Sequence, residues 1–196
     1  MDFTGTLNFS SATAQPQIGV PKLIRDARPL FGIHPLENAQ KLLLNDRGFL
    51  LTQAPSSVHD WSDPEAVRDT HYEEARLLAQ KLLPDFDIKP INSHTYRNES
   101  IKEHYWLDGI QYGPCVEFVH NDYADTLASD QRTIEKSFAE IMGMPTGKRV
   151  IGINIWRSVS NEPLERLPLI VCDRKSIDPN DLRYSLNTEA TTPFNA

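Results

Sequence analysis

The residues best suited to chemistry in this chain are His120, Asn121 and Asp122, at the end of the run Cys115-Val-Glu-Phe-Val-His-Asn-Asp122. That run has the apolar and β-branched character of a strand. On a strand, residues two apart point to the same face. The imidazole of His120 and the carboxylate of Asp122 are then expected side by side in one cavity. Together they supply two ligands of a 2-His-1-carboxylate facial triad, which grips Fe(II) on one side and leaves the other positions open. H-x-D is common by chance, so the tripeptide needs context. The same pair could serve as the acid and base of a hydrolase, but the sequence contains no G-x-S-x-G nucleophile elbow.

Several elements must position these groups. Ser62 or Asp63 can cap a helix whose first residue is Pro64. Val67, His71, Ala75, Leu78 and Leu82 recur on one helical face, and Pro84 ends it. His71 on that stripe reads as a packed or hydrogen-bonded helix residue. Residues 49–51, 88–98 and 115–122 read as strands, with a Gly-, Tyr- and Pro-containing turn over 107–114. A second helix is expected from about Ser129, with Ile134, Phe138, Ile141 and Met142 on its apolar face, stopped by Gly143 and Pro145. Strands are expected again at 149–159 and 167–173. Residues 1–20 form a polar arm or an edge strand, and Pro21, Pro29 and Pro35 disfavour long elements between 22 and 46. Helices scattered among short strands, without regular βα alternation or a glycine-rich nucleotide loop, predict an α+β domain around an antiparallel jelly-roll-like sheet. Residues 21–196 are expected to form that one domain.

Composition narrows the partners. The 196 residues carry a formal net charge of -7, which disfavours nucleic acid. No apolar run approaches the ~20 residues of a membrane span, and the N-terminus lacks a secretory pattern. A cytoplasmic protein acting on a small molecule, not on membranes, is the expectation. Cys115 and Cys172 are too few for a disulfide framework and read as reduced, small apolar fillers.

The motifs also occur in a telling order. Val119-His-Asn-Asp-Tyr-Ala124 is followed by Ile153-Asn-Ile-Trp-Arg157, then by Leu167-Pro-Leu-Ile-Val-Cys-Asp173 with Ser176 beyond. Upstream stand Arg47-Gly-Phe-Leu-Leu-Thr52, Tyr72-Glu-Glu74 and His94-Thr-Tyr-Arg97. This succession resembles the family of cephem methoxylase small-chain proteins, fungal hydroxylase/desaturases and gibberellin desaturases. The resemblance covers residues 40–181. It implies a double-stranded β-helix oxygenase with flanking helices that uses Fe(II), with 2-oxoglutarate as cosubstrate. Such a dioxygenase hydroxylates or desaturates a small natural product in secondary-metabolite biosynthesis.

Carried over by residue, His120 and Asp122 match the first two iron ligands. Arg157 is a candidate for holding a carboxylate, including that of 2-oxoglutarate, by a two-pronged hydrogen bond; the alternative is a structural pair with Asp173. Trp156 reads as core or as a substrate platform. Tyr96 and Tyr123 could line a pocket or simply pack with bonded hydroxyls, and Arg97 matches a family arginine with an ion pair as its plain role. Ser158 stands where the family usually has proline. The family's last iron-ligating histidine lies downstream of the P-L-x-x-x-D segment, yet this chain has no histidine after His120. An incomplete jelly roll, truncated on its C-terminal side, is therefore expected, with His94 or His104 as substitute ligands. Unpaired strand edges would favour a homo-oligomer. A catalytically inactive relative acting as a binding or partner protein is the alternative reading.

Overall fold

The structure is a computed structural model that describes residues 2–9, 18–31, 37–121, 143–144 and 149–181. The described residues form a mixed α+β arrangement with two small sheets. The chain divides into two compact units. The first comprises 1–6, 21–117 and 156–177, and the second 7–20, 118–155 and 178–196.

Strands β1 (Phe3–Phe9) and β2 (Ile18–Ile24) pair as a two-stranded sheet. The expected N-terminal arm thus contains a strand. Pro21 is tolerated within β2 because every strand of a two-stranded ribbon is an edge. A single turn, α1 (Ala39–Lys41), runs into a π-helical turn at Leu42–Asp46. The proline-broken pattern between 22 and 46 allows nothing longer.

The helix expected after Ser62 is present. It starts with α2 (Pro64–Ala66), passes through a π-helical turn (Val67–His71) and continues as α3 (Tyr72–Leu82). The Asp63 carboxylate caps it, accepting from the backbone N–H groups of Glu65 (2.9 Å) and Ala66 (3.3 Å). Val67 and Leu82 on the expected stripe are buried. Leu82 and Leu83 join Ala39 in a core against which Leu43, Leu44, Leu50, Leu78, Phe86 and Ile88 pack.

The second sheet has the order β3-β5-β4. Its strands are β3 (Thr95–Arg97), β4 (Tyr105–Leu107) and β5 (Ile110–Gly113). The segment read as a plain turn over 107–114 is instead a tight hairpin. Asp108 and Gly109 turn the chain with φ of 51° and 76°, the left-handed pair that a two-residue hairpin requires. β4 then pairs antiparallel with β5, and β3 pairs parallel with it. Tyr96, Tyr112 and Tyr105 fall into one row across the three strands, with ring centroids 5.3 and 5.0 Å apart.

Other expected strands do not form. Of 88–98, only Thr95–Arg97 is a strand, and 49–51 is irregular. Of 115–122, the described part has a single bridge, Asn8 to Phe118. Segments 149–159 and 167–173 hold no strand. Their Ile, Val and Leu side chains are largely exposed; β-propensity expresses a fit to neighbouring strands, and none pairs with them among the described residues. The helix expected from Ser129 to Met142 lies outside the described residues.

Leu83 is 1% exposed in the core, whereas Leu77 on the same helical stretch is 53% exposed. Leu83→Ala should cost about 3 kcal/mol of unfolding free energy, and Leu77→Ala no more than about 0.5 kcal/mol. Urea denaturation with unchanged slope would check both values.

Candidate functional site

His120 lies in the second unit and is exposed. Its Nδ1 is 3.0 Å from the backbone oxygen of Phe118, and its ring lies 4.7 Å from the ring of Phe118. A carbonyl can only accept, so Nδ1 carries the proton and the basic lone pair is on Nε2. Metal-binding histidines are commonly fixed in this way. Asp122 and Tyr123 lie outside the described residues. Among the described residues, no three of His, Cys, Asp and Glu gather as a metal-binding group.

The first unit contains a denser polar cluster. The π-helical turn ends at His71 and hands over to Tyr72, so two adjacent side chains project from one end of α3. π-Turns often mark functional positions in helices. From the sheet, β3 and the residue just before it bring His94 and Tyr96, which share a face because they are two apart. The Tyr72 hydroxyl meets Nδ1 of His94 at 2.7 Å. His94 stands edge-on to Tyr72 and Tyr96, with centroids 5.6 and 5.0 Å away. The Tyr96 hydroxyl donates to the backbone oxygen of Trp61, whose indole is edge-on to His71 at 5.0 Å.

Arg157 reaches this cluster. Its Nη2 donates to the backbone oxygen of Ala54 at 2.8 Å, and its guanidinium carbon sits 5.4 Å from the Trp61 ring centroid. The alternative pairing with Asp173 does not occur. Asp173 is paired with Arg47 and accepts from the N–H of Lys175. No carboxylate among the described residues pairs with Arg157.

The electrostatics of the cluster keep its imidazoles neutral. Burial, then the Arg157 cation, pushes His71 below the usual imidazole range, against the pull of Glu74. Burial also lowers His94, helped by His71 and Arg68. Burial would raise the Glu74 carboxyl, but hydrogen bonds from Ser56 Oγ (2.6 Å) and Ser57 N–H (2.7 Å), with His71 beside it, hold it at about 2. The gap from His71 Nδ1 to Glu74 Oε2 is 3.6 Å, too long for a hydrogen bond. Three buried nitrogens are left without partners: His71 Nδ1, His94 Nε2 and Arg157 Nε.

The substitute ligands belong to the first unit, and His120 to the second. His94 is bonded to Tyr72. His104 lies over Gly113, where an added Cβ would come within 2.4 Å of its ring. Trp156 is 49% exposed and is not core. Cys172 is exposed too, so it is no apolar filler. Arg97 donates to the backbone oxygen of Pro114. The grouping of Trp61, His71, Tyr72, His94 and Arg157 escaped sequence reasoning. The local signals were the adjacent His71-Tyr72 and the alternating His94-x-Tyr96, but nothing local shows that they meet.

Residues 11–191 match the sequence model of a family described as an oxidoreductase/YMDC permease-like domain. No curated protein and no solved structure matches the chain. Among the described residues no helix is long and apolar enough to cross a membrane.

Lowered imidazole values have a stability consequence. His71 and His94 bind fewer protons when folded than when unfolded, so their contribution is complete above the ordinary value of 6.5 and is lost as pH falls below it. The urea midpoint should hold steady from pH 8 to 7 and fall below about 6.5. His94→Gln should flatten that fall. The Glu74 contribution is lost only at lower pH, between its usual 4.5 and about 2, so the two windows separate.

Proposed function

The chain belongs to the oxidoreductase/YMDC permease-like domain family, and from that premise we propose that it hydroxylates or desaturates a small natural product with Fe(II), 2-oxoglutarate and dioxygen. The ordered motif series around His120-Asn121-Asp122 carries this reading. His120 and Asp122 are the proposed iron ligands. A proton held on Nδ1 by the Phe118 carbonyl suits His120 to that role, because its lone pair is then on Nε2. In this reading the described sheets and helices belong to an incomplete jelly roll.

Bound iron with 2-oxoglutarate would supply the oxidising power to remove hydrogen from an unactivated C–H bond. The chain's own residues do the positioning. Arg157 is held by the Ala54 carbonyl and lies close to the Trp61 ring, with no acid partner among the described residues. Its guanidinium is suited to orient a cosubstrate carboxylate. The exposure of His120 favours a second reading, a non-catalytic relative that binds a ligand without turning it over.

Turnover of 2-oxoglutarate to succinate separates the two readings. The oxygenase reading expects iron-dependent succinate formation that His120→Ala and Asp122→Ala abolish, with iron affinity falling by more than roughly 100-fold. Absence of succinate formation, together with loss-free iron titrations in both variants, would reject it.

A further inference from the structure

Three buried polar nitrogens without partners, in one small region, are not an ordinary feature of a folded chain. Each such group forfeits the hydrogen bonds that water gave it in the unfolded state. Here His71 Nδ1, His94 Nε2 and Arg157 Nε share that condition. They are neighbours. Arg157 and His71 both contact Trp61, the Arg157 charge bears on His71, and His71 bears on His94. All three can present N–H groups. Arg157 Nε always does. His94 does so at Nε2 when the Tyr72 hydroxyl donates to its Nδ1.

We propose that Arg157, His71 and His94 form one binding site for a small carboxylate-bearing molecule, whose oxygens accept from the three unpartnered nitrogens. The proposal deepens the reading of Arg157 as a carboxylate anchor, and it needs no iron. A guanidinium offers a side-on fork through Nε and Nη2. Nη2 has two hydrogens, and the Ala54 carbonyl takes only one. The residues are half-buried, so the cluster reaches the surface while these three atoms face inward. Arg157 is held by one carbonyl bond and a ring contact, so its side chain can turn to admit a ligand.

The charges around the site favour an anion that arrives with a proton. Arg157 and Arg68 are cationic. Glu74 is the nearby anion, and it is occupied by Ser56 and Ser57. Tyr72 and Tyr96 are raised by burial and stay neutral. A bound carboxylate beside His71 and His94 would stabilise their protonated forms, which the empty site disfavours. Binding should therefore take up a proton.

The test is calorimetric titration of the full chain with succinate and with 2-oxoglutarate, in chelator without metal, at pH 6 and pH 8. Saturable 1:1 binding is expected, at least about threefold tighter at pH 6. Arg157→Gln and His94→Phe should each weaken it about tenfold, with circular dichroism confirming that they fold. Should either variant unfold, the histidine resonances of the unaltered protein give the same answer, because those of His71 and His94 should move together with added succinate. No heat and no shift up to about 10 mM, well above the Kd of even a weak site, would overturn the proposal. So would a folded Arg157→Gln that binds as well as the original. Carboxylate binding without succinate production in the turnover assay would sink the oxygenase reading alone.

Discussion

The hydrogen bond between the Tyr72 hydroxyl and Nδ1 of His94, 2.7 Å long, joins the main helix to the three-stranded sheet of the first unit. Much depends on it. Tyr72 is where it is because Asp63 starts the helix at a fixed residue and the π-helical turn then sets its rotation. His94 is where it is because β3 pairs in parallel register with β5. Around that one bond the rings of Trp61, His71, Tyr96 and Tyr112 meet edge-on or tilted. Such contacts add specific geometry to the area they bury. Losing the bond would leave a half-buried hydroxyl and a half-buried imidazole both short of a partner, which costs more than the bond itself contributes.

Residues 156–177 are attached to the first unit by different means. Asp173 pairs with Arg47, and the Arg174 N–H donates to the Arg47 carbonyl at 2.9 Å. Arg174 Nη1 reaches the Leu44 oxygen at 2.7 Å, Lys175 reaches Asp46, and Arg166 reaches Glu99. These ties are mostly solvent-exposed, where ion pairs are individually weak. They set the path of the chain more than its stability. Arg157 arrives on this segment, which explains how a strongly basic group comes to lie in an aromatic cluster without an acid beside it.

Two chemical centres result, one in each unit. His120 in the second unit is prepared by its carbonyl contact to act through Nε2. The imidazole and guanidinium group of the first unit is prepared to receive negative charge. Membership of an oxidoreductase-like family is compatible with a division of labour between a redox centre and an anion anchor.

Local chemistry determined a good deal from sequence. The Asp63-Pro64 start and the apolar stripe through Val67 and Leu82 marked the main helix, because caps and periodicity act within a few residues. The Asp108-Gly109 pair carried an equally local hairpin signal, although the segment read as a simple turn. The ordered series from Arg47 to Asp173 pointed to an oxidoreductase. Tertiary structure alone decided the rest. Residues 149–159 and 167–173 have strand composition but no ladder, because a strand exists only where another backbone accepts its hydrogen bonds. Asp173 went to Arg47 and left Arg157 to Trp61, a choice between partners more than 90 residues apart that no local pattern encodes. For the same reason His71, His94 and Arg157, distant along the chain, became one cluster only once the helix, the sheet and the later segment had folded together.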